Sequence, residues 1–103
     1  MLECGHWDTL RDGPLEETAL RHKLESLGYR VSTYVYPPGT VFPEHDHAVD
    51  KIDAVLAGRF EFGSEQGTVV LEAGDWVVVP AGTRHSARVI GGEAVVGLDA
   101  ISC

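Results

Sequence analysis

From Tyr29 onward, glycines cut the chain into short runs rich in valine, isoleucine, threonine and aromatic residues. Such side chains suit a pleated, half-buried surface, and glycine supplies the turn conformations between them. The first run, Tyr29 to Tyr36, is ended sharply by Pro37-Pro38-Gly39. Further runs follow at 41–47, 52–57, 59–62, 68–71, 76–79, 85–90 and 94–98, separated by Gly58, Gly63, Gly67, Gly74, Gly82 and Gly91-Gly92. This regular spacing predicts an all-β sandwich or barrel.

One segment has helical periodicity instead. Leu20, Leu24 and Leu27 recur at helical spacing, with Arg21, Lys23 and Glu25 pointing elsewhere, which predicts a helix over 14–27. Asp12 or Gly13 is placed to cap it, Pro14 suits its first turn, and Gly28 is a natural C-terminal stop. Residues 1–28 are therefore expected to form a helical appendage to a β-domain over 29–103, the whole being one domain. A chain of 103 residues supports one core and not two.

The net charge of −8 argues against a nucleic-acid partner, because phosphate binding requires clustered lysine and arginine. No apolar run approaches the length needed to cross a bilayer, so no membrane partner is expected. The start of the chain lacks a basic segment followed by an apolar one, so no secretory signal is read there. Cys4 and Cys103 sit far apart in sequence without redox or zinc-knuckle spacing; free thiols and a cytoplasmic setting are expected, with a terminal disulfide as the alternative.

The chemistry concentrates in His45, His47 and His85. Alternation along a strand projects His45 and His47 to one side and Asp46 to the other. Each histidine belongs to a glycine-bounded pattern: Gly39-TVFPE-His45-Asp46-His47-AVD-Lys51-IDAVLA-Gly58, and Gly74-DWVVV-Pro80-Ala81-Gly82-TR-His85-SAR-Val89. Together these resemble the paired signatures of the cupin superfamily over roughly residues 34–98, with Val89 standing where the second pattern has an asparagine. The resemblance implies an all-β cupin (jelly-roll) barrel that gathers His45, His47 and His85 around one divalent transition metal. Iron, zinc, nickel, manganese and copper all accept imidazole, and open positions would remain for water or substrate. A barrel mouth lined by these histidines without an ion is the alternative.

Lys51 occupies the position where many cupins place a glutamate ligand, and a protonated ammonium cannot ligate. The site is thus similar to the three-histidine arrangement of cysteine dioxygenase and acetylacetone-cleaving relatives. Asp53 shares strand parity with Lys51. The pair either stands beside the ion, orienting an anionic substrate or moving a proton, or points to solvent at the barrel mouth. Asp50 or Asp53 as a fourth ligand is the less favoured variant, since Asp50 has the wrong parity without a bulge. Tyr34 is a candidate substrate-binding residue; Tyr36 on the same face is read as packing, and Trp76 as buried structure.

Two function classes follow. One is a metalloenzyme acting on a small anionic or carbonyl-containing molecule, by dioxygenase or by Lewis-acid isomerase or lyase chemistry. The other is a binding or sensing module without catalysis, with a purely structural barrel behind both. The resemblance further implies a homodimer, to which the helix or the Tyr29–Tyr36 strand would contribute.

Overall fold

The computed structural model describes residues 2–103. Nine strands and two helices follow in the order β1 (Glu3–His6), α1 (Thr9–Asp12), α2 (Glu17–Ser26), β2 (Tyr29–Tyr36), β3 (Val41–His45), β4 (Lys51–Ala57), β5 (Arg59–Ser64), β6 (Gly67–Leu71), β7 (Asp75–Val79), β8 (His85–Ile90) and β9 (Val95–Ser102). All pairings are antiparallel. One sheet has the order β1-β7-β4-β9-β2 and the other β3-β8-β5-β6. The expected all-β jelly roll is present, as two facing sheets rather than one continuously closed barrel.

Strand alternation explains how the layers form. On β4, Val55 faces inward and joins Phe60, Phe62, Leu71, Val77, Val79, Ala87, Val89 and Val95 in a core between the sheets. Ile52 and Ala54 face the other way, into a second cluster with Leu98, Ala100, Val31, Trp7, Leu20 and Leu24. Both faces of β4 are therefore apolar, except that Lys51 and Asp53 share the inward face with Val55.

The helix α2 covers the outer face of the larger sheet. Leu20 and Leu24 are buried, whereas Leu27 is exposed and does not extend the stripe. Burying each leucine contributes about 1.5–3 kcal/mol. Arg21 pins the helix to β2, donating to the Val31 carbonyl at 2.7 Å and to Thr33 Oγ1 at 2.6 Å.

The helix differs from the expectation at its start. It begins at Glu17, and its N-cap Glu16 makes no side-chain capping bond. Asp12 and Gly13 instead close the short α1, which Asp8 caps by accepting from the Leu10 and Arg11 amides. Gly13 takes φ +82°, a left-handed conformation that stops α1 and separates the two helices. Gly28, at φ +93°, ends α2 as expected and donates to the Glu25 carbonyl. The N-terminal segment is also more than a helical appendage, because β1 pairs with β7 and extends the larger sheet.

Candidate metal centre

His45 and His85 are register partners on the antiparallel β3–β8 pair. The ladder is irregular between Phe42 and His45, at the proline that cannot donate to it. That shift lets Phe42 and His45, three positions apart in sequence, both line the inner cavity. His47 is not on the strand as expected: β3 ends at His45, and His47 follows in the irregular loop before β4. The loop is held from outside, since the Gly82 amide donates to the His47 carbonyl at 2.8 Å and the Ala81 amide to Asp50 Oδ1 at 2.7 Å. Asp50 is thereby committed to the turn that precedes His85.

The three rings converge. Their nearest ligand atoms all lie within 4.8 Å of one another, and the His45 and His85 ring centroids are 4.3 Å apart. Nitrogens bound to one tetrahedral ion at about 2.1 Å are ~3.4 Å apart, so small inward rotations of the rings close the set. Tautomers favour this. His45 Nδ1 lies 2.6 Å from the Pro43 carbonyl and His85 Nδ1 lies 2.9 Å from the Thr83 carbonyl. A carbonyl accepts only, so each Nδ1 donates its hydrogen and each Nε2 carries a lone pair directed elsewhere. His47 Nε2 is buried without a hydrogen-bond partner, which costs about 1–3 kcal/mol unless a ligand satisfies it.

Electrostatics hold two of the rings in the ligand form. Burial lowers the pKa of His85, and the nearby His45, Lys51 and His47 add to this against the Thr83 carbonyl. Burial and then Lys51 and His45 lower His47. His85 also lies flat on Phe62, with ring centroids 5.1 Å apart. The donor set therefore fits a divalent metal held by His45, His47 and His85.

The same cavity, of about 200 Å³, is lined by the three histidines together with Tyr36, Phe42, Lys51, Asp53, Phe60, Ala87 and Asp99. Lys51 is buried, and its ammonium lies 2.7 Å from Asp99 Oδ1 and 3.3 Å from Asp53 Oδ1. Burial alone would lower its pKa, but the two carboxylates outweigh that and raise it, so the group is an ammonium. Lys51 and Asp53 thus pair inside the cavity rather than in solvent. Tyr36 is pushed up to about 12, mainly by burial and then by Asp99 and Asp53, and remains a phenol.

Of the two tyrosines, Tyr36 lines the cavity, while Tyr34 is exposed and stacks on Tyr36 at 5.8 Å. Trp76 packs against Gly5 and under the Lys23 ammonium, away from the cavity. Asp99, Phe42 and Phe60 are cavity residues that the sequence reading did not single out. Asp99 had one visible signal: it is the acidic residue between Leu98 and Ala100 in an otherwise apolar run.

Residues 32–101 match the Cupin_2 family, described as a cupin domain. The chain belongs to this family. Among relatives, acireductone dioxygenase of Synechococcus sp. (strain WH7803) is 46% identical over 46 residues, covering 41% of this cupin and 26% of the relative. This cupin thus spans about a quarter of that enzyme's length. Among solved structures, KdgF from Halomonas sp. aligns with a TM-score of 0.65 at 29% identity, covering 73% of this chain and 68% of that one. The DMSP lyase DddQ from Ruegeria pomeroyi DSS-3 aligns with a TM-score of 0.66 at 27% identity, covering 74% and 39%. No helix among the described residues is long and apolar enough to cross a membrane. Cys4 and Cys103 are both free and exposed.

Proposed function

We propose that this cupin is a metal-dependent enzyme acting on a small anionic or carbonyl-containing molecule. The observation that carries the reading is one cavity lined both by a three-imidazole donor set and by a buried lysine with two aspartates. A bound divalent ion would supply Lewis acidity or, as iron, redox capacity. The protein's own residues do the rest. Phe42 and Phe60 form an apolar wall that packs one side of a ligand. Tyr36 donates a hydrogen bond from its phenol. Lys51 is an ammonium already paired with Asp99 and Asp53, so it meets a developing oxyanion only as Asp53 takes up a proton.

Two chemistries are supported by different observations. The segment similar to acireductone dioxygenase favours a dioxygenase. The likeness to a lyase structure, together with Asp53, whose pKa burial raises to about 7, favours proton transfer. A sensing module is the non-catalytic alternative. The deciding experiment is turnover by iron-loaded protein over β-diketones, thiols and small carboxylates, with and without oxygen. Product formation that consumes oxygen supports the dioxygenase, and anaerobic product formation supports the lyase or isomerase. No turnover under either condition contradicts the proposal.

A further inference from the structure

We propose that Asp53 exchanges a proton with the molecule bound in the cavity, and that Lys51 and Asp99 are the positioning residues that equip it to do so. This rests on the reading of the cavity as a substrate site. It starts from the register of β4 and β9, which places Asp53 directly opposite Asp99. Residues so placed have Cβ atoms about 4.5–5.5 Å apart on one face, where like charges repel. An uncompensated pair would be strongly unfavourable on an inward face.

Lys51, one inward position before Asp53, reaches both carboxylates at 3.3 Å and 2.7 Å. That leaves two carboxylates against one ammonium, and a single added proton makes the group neutral. Asp53 makes the longer of the two contacts with the ammonium, so it is the member assigned to take up and give back the proton. The shift on Asp53 agrees: burial raises its pKa, Asp99 adds to this, and Lys51 opposes it.

The titratable groups lining the same cavity are Lys51 on its own strand, Asp99 on β9, Tyr36 on β2, His45 on β3, His85 on β8 and His47 in the β3–β4 loop. On the other side β7 presents Val77 as the register partner of Asp53 and contributes no charge. A purely structural ion triad would have no reason to stand in the wall of the cavity that the imidazoles share.

The substrate class follows from the step. A carbonyl compound with an adjacent C–H gives its proton to the Asp53 carboxylate. The C–H bond breaks, its electron pair forms the C=C bond of an enolate, and the carbonyl π pair moves onto oxygen as the O–H bond forms on Asp53. Return of the proton to the same carbon is exchange. Where that carbon bears a hydroxyl that passes its proton to the enolate oxygen and becomes the new carbonyl, return to the former carbonyl carbon is isomerisation. Loss of a β-substituent with its electron pair is elimination. No oxidant or second substrate is required, and the Lys51 charge offsets the enolate oxygen.

The test is deuterium incorporation from heavy water, followed by proton NMR without oxygen, using pyruvate, dihydroxyacetone and acetoacetate as probes. Wild-type protein is expected to exchange at least one probe faster than buffer, and Asp53→Asn to lose at least 100-fold of that rate at unchanged metal content. Lys51 lowers and Asp99 raises the Asp53 pKa, so the acidic limb of the pH–rate profile moves up in Lys51→Met and down in Asp99→Asn. A carbon-13 carboxyl titration of the folded protein reads the same two opposite shifts on Asp53 without catalysis. The proposal is overturned if no probe exchanges above buffer, if Asp53→Asn exchanges like wild type, or if neither variant moves the Asp53 titration. Exchange by protein without metal would remove the metalloenzyme reading and leave this one standing; metal bound without exchange would do the reverse.

Discussion

His45 and His85 face each other across the β3–β8 ladder, with their ring centroids 4.3 Å apart. One strand thus ends, and the other begins, at a candidate metal ligand. The rings are oriented by backbone carbonyls two residues upstream, Pro43 for one and Thr83 for the other. Ligand geometry is therefore tied to the sheet and to the core beneath it.

Phe62 supports His85 from below and is fully buried. Phe62→Ala is expected to cost about 3–5 kcal/mol, as buried phenylalanine deletions do. A urea denaturation midpoint checks the stability. A loss below about 1 kcal/mol would mean that the core collapses to fill the gap.

Replacing Lys51 with methionine removes the one cation that faces Asp53 and Asp99. Breaking a buried ion pair from one side costs about 3–5 kcal/mol. Protonation of the stranded carboxylates relieves part of that cost at low pH. The expected loss is therefore larger at pH 8 than at pH 5, measured by urea unfolding at both. Equal losses would show that the carboxylates are not the reason.

Asp53 sets a second pH dependence. Its folded pKa is raised from 3.8 to about 7 by burial, so between those values the folded state binds more protons than the unfolded one. Stability from this group is present below pH 3.8 and is lost as pH rises towards 7. The lowered pKa values of His47 and His85 act in the opposite direction, with stability rising as pH rises towards the ordinary value of 6.5. In chelator-treated protein, Asp53→Asn should gain on wild type as pH climbs from about 4 to about 7. A constant difference across that window would contradict the assignment.

Gly58 sits between β4 and β5 at φ +83°, and a Cβ there would lie 2.4 Å from the Ala94 carbonyl oxygen. Gly58→Ala meets both backbone strain and a backbone clash, at a cost of order 1–3 kcal/mol for the strain alone. Gly82, also at positive φ but with open space around it, should cost less when changed to alanine. Thermal unfolding of the two variants side by side checks the order.

Most of the β architecture was legible because each run carries its own turn signal. The 85–90 run matches β8 to the residue, and Gly58 and Gly28 both take the left-handed conformations their positions require. What the sequence could not show was long-range register. Asp99 becomes a cavity residue because β9 runs on to Ser102 and pairs opposite Asp53, whereas its local pattern faded after Leu98. The helix start was misplaced because Pro14 and the acidic pair after it imitate a first turn, while Asp8 had already capped a separate short helix. His47 reaches the site from a loop held to the Gly82 amide, not by strand alternation.

The metal chemistry proposed for the cavity depends on His45, His47 and His85 binding one divalent metal. Elemental analysis of protein purified without added metal, set beside His45→Ala and His85→Ala, tests it most directly. A stoichiometric transition metal is expected in the wild type, and its loss is expected from both variants while they remain folded. Equal metal in all three proteins would contradict it.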